Sequence, residues 1–324
     1  MSLPIIDSLG FQAEAGHDVT GRVSIADRFP ASKSRCGIYL LQFSDGTFYI
    51  GQAVDAVRRF AQHRKNYDTI VRHWFQSVAK GQLDQVEQRL IRQAEAAGLL
   101  LTNKTFVTNV VGDTDLDLLV SPAEQAVWLA DGHPLDNEGV DLSQSVEEKF
   151  KVKYRQNFRQ LQRLPAYTRV QVLLRAYITL GIPAYKKTEQ AFWALSCLPS
   201  TSGGSRYFTL NMNGMEVLAA GSEKATNQGF VFAIVTGSFY STPAEKARFL
   251  RAYAYNIEST TYQAAGTDQY RINFKGMSFL LTALQQEPAF RLSVREMSLR
   301  LMRRGGTIYS PYHCFDLAED VLRG

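Results

Sequence analysis

The chain has 324 residues, enough for two domains or one large decorated one. With 45% apolar and 21% charged residues, it falls outside the disordered, collagen-like and disulfide-scaffold classes. Its longest apolar run, 170–182, is broken by Arg175 well short of the ~18 to 20 residues a membrane span needs. The net charge of +5 is unevenly spread, at +3 over residues 1–110, −8 over 111–142 and +10 over 143–324. A basic second half suits a polyanionic partner, although many basic domains have none.

The opening stretch, MSLPIIDSLGFQ, has no basic leader ahead of an apolar core, so a cytoplasmic location is expected. Gly37 to Phe43 and Thr47 to Gly51 are apolar and aromatic runs joined by Ser-Asp-Gly, the pattern of a β-hairpin. A helix from about Asp55 to Tyr67, a strand from Val71 to Val78 and a helix from Asp84 to Ala97 follow, giving the order ββαβα.

The acidic stretch 111–142 reads as a connector between a first domain, 1–110, and a second, 143–324. It holds a short helix from Pro122 to Ala130 that Ser121 caps. Beyond it the pattern predicts helices over 146–164 and 167–180. Strands at 207–212, 216–220 and 230–236 come next, with Asn213-Gly214 as a hairpin turn. Helices return at 244–254, 277–286, 294–304 and the carboxyl end. The fold class is α+β: a small ββαβα module followed by a larger mixed α+β domain. Cys36, Cys197 and Cys314 are far apart and lack zinc-ligand spacing, so they read as free thiols.

Turn length decides where the two hairpin tyrosines point, because side chains alternate faces along a strand. A three-residue loop, Ser44 to Gly46 with Gly46 left-handed, sets Tyr39 opposite Gly51 and diagonal to Tyr49 on one face. Ile38, Leu40, Phe48 and Ile50 then share the other. A two-residue Asp45-Gly46 loop would split the tyrosines across the sheet. On the following helix Arg59 and His63 are one turn apart on one face, flanking Val57, Phe60 and Ala61. On the last helix Glu87 falls in the stripe of Leu90, Ile91 and Ala94, where a carboxylate is costly unless paired, at a rim or bound to a cation. Asp84 to Glu87 also fits a capping box that would set Glu87 at the helix start, and both readings can hold at once.

The residues Gly37-Ile38-Tyr39, Tyr49-Ile50-Gly51, Arg59, His63, Glu87 and Asn103, at these spacings, resemble the GIY-YIG endonuclease family over residues 35–106. The resemblance implies a phosphodiester hydrolase that uses Mg²⁺ or Mn²⁺ held by Glu87. Arg59 would bind the phosphate, and His63 would act as phosphate donor or proton shuttle. A tyrosine would be general base: Tyr39, with Tyr49 as the alternative or its orienting partner. Gly37, Gly51 and Asn103 would be structural. The implied activity is a DNA endonuclease acting in restriction or defence. Alternatives are repair or recombination on branched DNA, a non-catalytic nucleic-acid-binding protein, and an RNA-cutting effector.

The second domain would then recognise double-stranded DNA. Lys151, Arg155 and Arg159 form a helical stripe suited to tracking phosphates, or a solvated basic face. Arg291, Arg295, Arg300, Arg303 and Arg304 form a second basic run open to the same two readings. One metal site per chain nicks one strand per event, so double-strand cleavage implies a homodimer or two sequential nicks.

Overall fold

The structure is a computed structural model that describes residues 3–103, 107, 113–131, 135, 152–200, 204–223 and 228–323. It is mixed α+β, divided into two compact units, Met1–Gly112 and Asp113–Gly324, each built on one antiparallel sheet. Among the described residues no helix is long and apolar enough to cross a membrane.

The first unit opens with helix α1 (Leu3–Ser8) and a two-residue strand β1 (His17–Asp18). The order β2 (Gly37–Phe43), β3 (Phe48–Ala53), α2 (Ala56–Asn66), β4 (Ile70–Ser77), α3 (Leu83–Ala96) then follows. The sheet order is β1-β4-β2-β3, which puts the apolar strand β2 inside, as a strand buried on both faces must be. Its even-numbered residues, Ile38 and Leu40, pack with Leu90, Ile91 and Ala94 of α3. Its odd-numbered residues, Tyr39 and Leu41, pack with Ala56 and Phe60 of α2. Asp55 caps α2 by accepting from the Arg58 amide at 3.1 Å.

The hairpin has the three-residue loop. The Phe43 amide donates to the Thr47 carbonyl at 2.9 Å, and Gly46 sits at φ +84°, a conformation that favours glycine. Tyr39 therefore pairs with Gly51, and both tyrosines share the α2 face.

The second unit begins inside the acidic stretch. Residues 113–131, read from sequence as connector, carry Leu116, Val120 and Trp128 into this unit's core. Helix α4 (Pro122–Asp131) starts at a capping box in which the Glu124 carboxylate accepts from the Ser121 amide at 2.7 Å. The acidic charge is answered within the same unit: Arg303 pairs with Asp117 at 3.4 Å and bonds Gln125 at 2.8 Å.

Helices α5 (Arg155–Gln162) and α6 (Tyr167–Gly181) and the one-turn α7 (Tyr185–Thr188) lead into a six-stranded sheet. Its strands are β5 (Trp193–Cys197), β6 (Gly204–Met212), β7 (Met215–Glu223), β8 (Gly229–Thr236), β9 (Ala254–Ser259) and β10 (Gln269–Phe274), in the order β5-β6-β7-β8-β10-β9. Helices α8 (Pro243–Tyr253), α9 (Met277–Gln286), α10 (Pro288–Met302) and α11 (Phe315–Arg323) complete it.

Besides the short elements α1, β1 and α7, three strands and one helix start of the second unit differ from the sequence reading. β5 is a short, wholly buried apolar run, which periodicity cannot separate from helix, and β9 and β10 are too polar to stand out. Helix α10 begins at Pro288, six residues before the start predicted from periodicity, with proline in its first turn where no amide partner is needed. The helix predicted over 146–164 is described only as Arg155–Gln162; residues 146–151 lie outside the described residues.

Candidate active site

Five of the sequence-predicted side chains converge where β3, the outer strand beyond β2, passes between α2 and α3. Tyr39 rises from β2 on the α2 face, and its phenol lies across Gly51. A Cβ at Gly51 would sit 2.3 Å from the Tyr39 oxygen, so only glycine leaves the ring room. Gly37 is equally constrained, its Cβ position being 2.1 Å from the Gln76 carbonyl oxygen.

The Tyr39 hydroxyl is the hub. Arg59 Nε donates to it at 3.2 Å, and His63 Nε2 lies 2.8 Å away. Because Arg59 can only donate, the hydroxyl proton is available to His63 Nε2 when the ring carries its own proton on Nδ1. Tyr49 stacks beside Tyr39, with ring centroids 6.1 Å apart, and packs on His63 at 4.9 Å. The register of the hairpin and the one-turn spacing on α2 together build this cluster.

Burial sets the charge states. It pushes the Tyr39 phenol well up, helped by the neighbouring Tyr49 and opposed by the hydrogen bond from Arg59. It pushes Tyr49 up as well, against the Arg59 charge. His63 is lowered to about 4, first by burial and then by Arg59, so at neutral pH it is an uncharged ring able to accept a proton. Arg59 is exposed and stays cationic, its bond to Tyr39 raising its pKa further.

Glu87 approaches from α3, on the other face of β3. It is buried within the apolar stripe with Leu90, Ile91 and Ala94, as the spacing predicts. The capping-box reading fails. Helix α3 starts at Leu83, Asp84 lies inside it, and the preceding Gln82 makes no side-chain cap.

Gln52, on the α3 face of β3, links the two acids. Its amide nitrogen donates to Asp84 Oδ1 at 2.5 Å and to Glu87 Oε2 at 2.9 Å. Burial raises the Glu87 carboxyl above its ordinary range; the Gln52 bond and Arg59 oppose this and Asp84 adds to it. Glu87 in turn raises both phenols, so the acid and the tyrosines sense one another around the edge strand.

Asn103 braces that edge. Its Oδ1 accepts from the Ile50 amide at 3.0 Å and its Nδ2 donates to the Ile50 carbonyl at 2.6 Å. One side chain thus satisfies the outward backbone groups between Tyr49 and Gly51, as a neighbouring strand would.

Glu87 and Asp84 offer oxygen donors of the kind a hard divalent cation takes, with the Gln52 amide nitrogen between them. Among the described residues no Lys, Arg or His forms an ion pair with the Glu87 carboxylate, whose bonded partner is a neutral amide shared with a second carboxylate. No group of three or more His, Cys, Asp or Glu is gathered among the described residues.

Two neighbours were not anticipated. Gln52 is signalled only by the parity that places it opposite Ile38 on the α3 face. His73 is buried with its ring parallel to Tyr39, centroids 6.3 Å apart. It is held neutral by burial, its pKa lowered to about 3.

In the second unit the basic stripe divides. Arg155 Nε is engaged by Asp316 at 3.3 Å, Arg159 is exposed, and Lys151 lies outside the described residues. Phe158 is a core residue. The 291–304 arginines turn inward on backbone and acid partners. Arg291 donates to the Leu284 carbonyl, Arg295 to Leu180, Arg304 to Arg300, and Arg300 to Ala265 and Asp268. His313 is likewise structural, accepting from the Leu195 amide at 3.1 Å with Glu189 at 3.0 Å on its other nitrogen.

Comparison of the chain with models of protein families, with curated proteins and with solved structures found no match.

Proposed function

We propose that the chain is a divalent-metal-dependent DNA endonuclease whose first unit is a GIY-YIG-type catalytic module. The observation that carries this reading is the Tyr39 hydroxyl bonded by Arg59 and His63, with the Tyr49 ring stacked beside it and Glu87 buried on the other face of the edge strand. Phosphodiester hydrolysis needs a deprotonated water, a place for its proton and positive charge on the phosphoryl oxygens, and these side chains supply each.

Tyr39 is the base: its oxygen accepts the proton of the attacking water as its own hydroxyl proton passes to His63 Nε2, a transfer that burial opposes at both groups and that the positive charge of Arg59 and of a bound ion must offset at the phenol. The neutral His63 ring accepts the phenol's hydrogen bond and orients its oxygen, and is not a cationic phosphate donor. Arg59 stabilises negative charge developing on Tyr39 and presents its guanidinium to the phosphate. Tyr49 and the Gly51 backbone hold the Tyr39 ring in place, and Asn103 fixes the strand that carries them. Glu87, with Asp84 through Gln52, would hold Mg²⁺ or Mn²⁺. When bound, that ion supplies Lewis-acid charge to the phosphoryl and leaving oxygens. Arg159 is the remaining described cation of the 151–159 stripe that is open to a phosphate. Cleavage of both strands takes two copies of the chain or two events.

The test is incubation of supercoiled plasmid and of an RNA of matched sequence with Mg²⁺, with Mn²⁺ and with a chelator. Metal-dependent nicking of the DNA is expected. Cutting confined to RNA would move the reading to a ribonuclease, and no cutting of either would remove it.

A further inference from the structure

The second unit contains a cavity of about 440 Å³, within the size range of small-molecule sites. Tyr154, Tyr309 and Tyr312 line it. The Lys153 ammonium stands beside this wall, 5.1 Å from the Tyr154 ring and 5.9 Å from that of Tyr312. On the sheet, Ser196 of β5 pairs with Thr209 of β6, and Asn211 lies two residues further along the same face, opposite Glu216 of β7. All four line the cavity.

Ser196, Thr209 and Asn211 are buried, Asn211 only 1% exposed, while Glu216 is half-buried at the rim. Asn211 Nδ2 donates to Thr209 Oγ1 at 3.1 Å, whereas its Oδ1 has no hydrogen-bond partner. A buried carbonyl without a donor is costly and rare, and a ligand N–H reaching this patch would satisfy it. The Glu216 carboxylate, held by Arg206, adds a second acceptor at the cavity wall.

We infer that this cavity is a nucleobase-binding site. Aromatic rings on one side, buried acceptors for edge N–H groups on the other and an ammonium at the tyrosines match the faces, the edge and the phosphate of a nucleotide. An aliphatic ligand would leave the acceptors unmet. The choice of a nucleobase over other planar heterocycles rests on the endonuclease reading of the first unit. The base comes either from a free nucleotide or from a nucleic-acid strand that turns it outward.

Calorimetric titration of the full chain in chelator tests this. The probes are the four deoxynucleoside 5′-monophosphates, a single-stranded oligonucleotide and a duplex with one mismatched pair, each against wild type, Asn211→Leu and Tyr312→Ala. Tyr312 is 55% exposed, so its truncation leaves the fold intact should the buried Asn211 substitution prove disruptive. The site predicts that at least one probe binds and that the substitutions weaken it about tenfold, the scale of one lost hydrogen bond or stacking contact. Weakening confined to a monophosphate identifies a free nucleotide as the source; weakening of an oligonucleotide identifies a strand. Affinities that neither substitution changes, or no binding of any probe, would overturn the assignment. Metal-dependent plasmid cleavage, measured on the same three proteins, separates the two readings. Cavity-dependent binding without cleavage defeats the endonuclease alone, and cleavage with cavity-independent binding defeats the base site alone.

Discussion

The two units handle their charged side chains in opposite ways. In the first, Arg59 and Glu87 are kept away from full neutralisation. Arg59 is exposed with its Nε on a phenol, and Glu87 is buried against a neutral amide with its carboxyl raised. In the second, the arginines from 291 to 304 end on carbonyls and acids of their own unit, and Arg300 is almost wholly buried. The second unit holds 23 of the 36 Lys and Arg residues but also 21 of the 31 acids, so its net charge is +2 against +3 for the first, which carries the poised chemistry. Net charge counts groups; it does not say which of them remain unanswered.

The contrast is broken most severely at Glu87. Glu87→Gln should reduce cleavage to background while leaving the fold intact. Because the folded carboxyl is raised, its stabilising contribution belongs to the protonated form, present at acid pH and lost as pH rises through the folded value. Removing the ionisable group should therefore hold or raise the melting temperature at neutral pH without metal, as scanning calorimetry would show; a fall would contradict the reading of the acid as electrostatically poised. Arg59→Ala should slow single-turnover cleavage by about 10² to 10³-fold, the loss typical of a donor to developing negative charge.

In the second unit the equivalent substitution acts on stability alone. Arg300→Leu should cost about 1 to 3 kcal/mol in chemical denaturation, since it strips the Ala265 carbonyl of its donor, with DNA affinity unchanged. Stability of the first unit should also fall as pH drops from 6.5 towards about 4, because the unfolded chain protonates His63 before the folded one does. His63→Gln should reduce that slope, leaving the share that His73 contributes over the same window. The smallest effect is at the surface: Arg159→Ala should weaken DNA binding evenly across sequences and reduce its salt slope by about one.

The candidate site was legible in the sequence where local rules decide it. Loop length and strand parity put Tyr39 against Gly51, helical spacing put Arg59 beside His63, and the Glu87 stripe followed from the period of α3. Non-local facts were not legible. Gln52 bridging two acids depends on how α3 packs on β3, and His73 beside Tyr39 depends on β4 pairing with β2; the bracing of the hairpin backbone by Asn103 was expected from the family resemblance and not from a local rule. In the second unit the sequence showed a basic run but not the carbonyls that α10 would bring within its reach. The acidic stretch looked like a linker because its eight carboxylates hide three apolar residues that enter the core.

The most direct measurement is nicking of supercoiled plasmid by the wild type and by Glu87→Gln side by side, in Mg²⁺, in Mn²⁺ and in chelator, with circular dichroism on both proteins. The account predicts metal-dependent nicking by the wild type alone from two equally folded proteins. Equal nicking by the folded Glu87→Gln variant would contradict it.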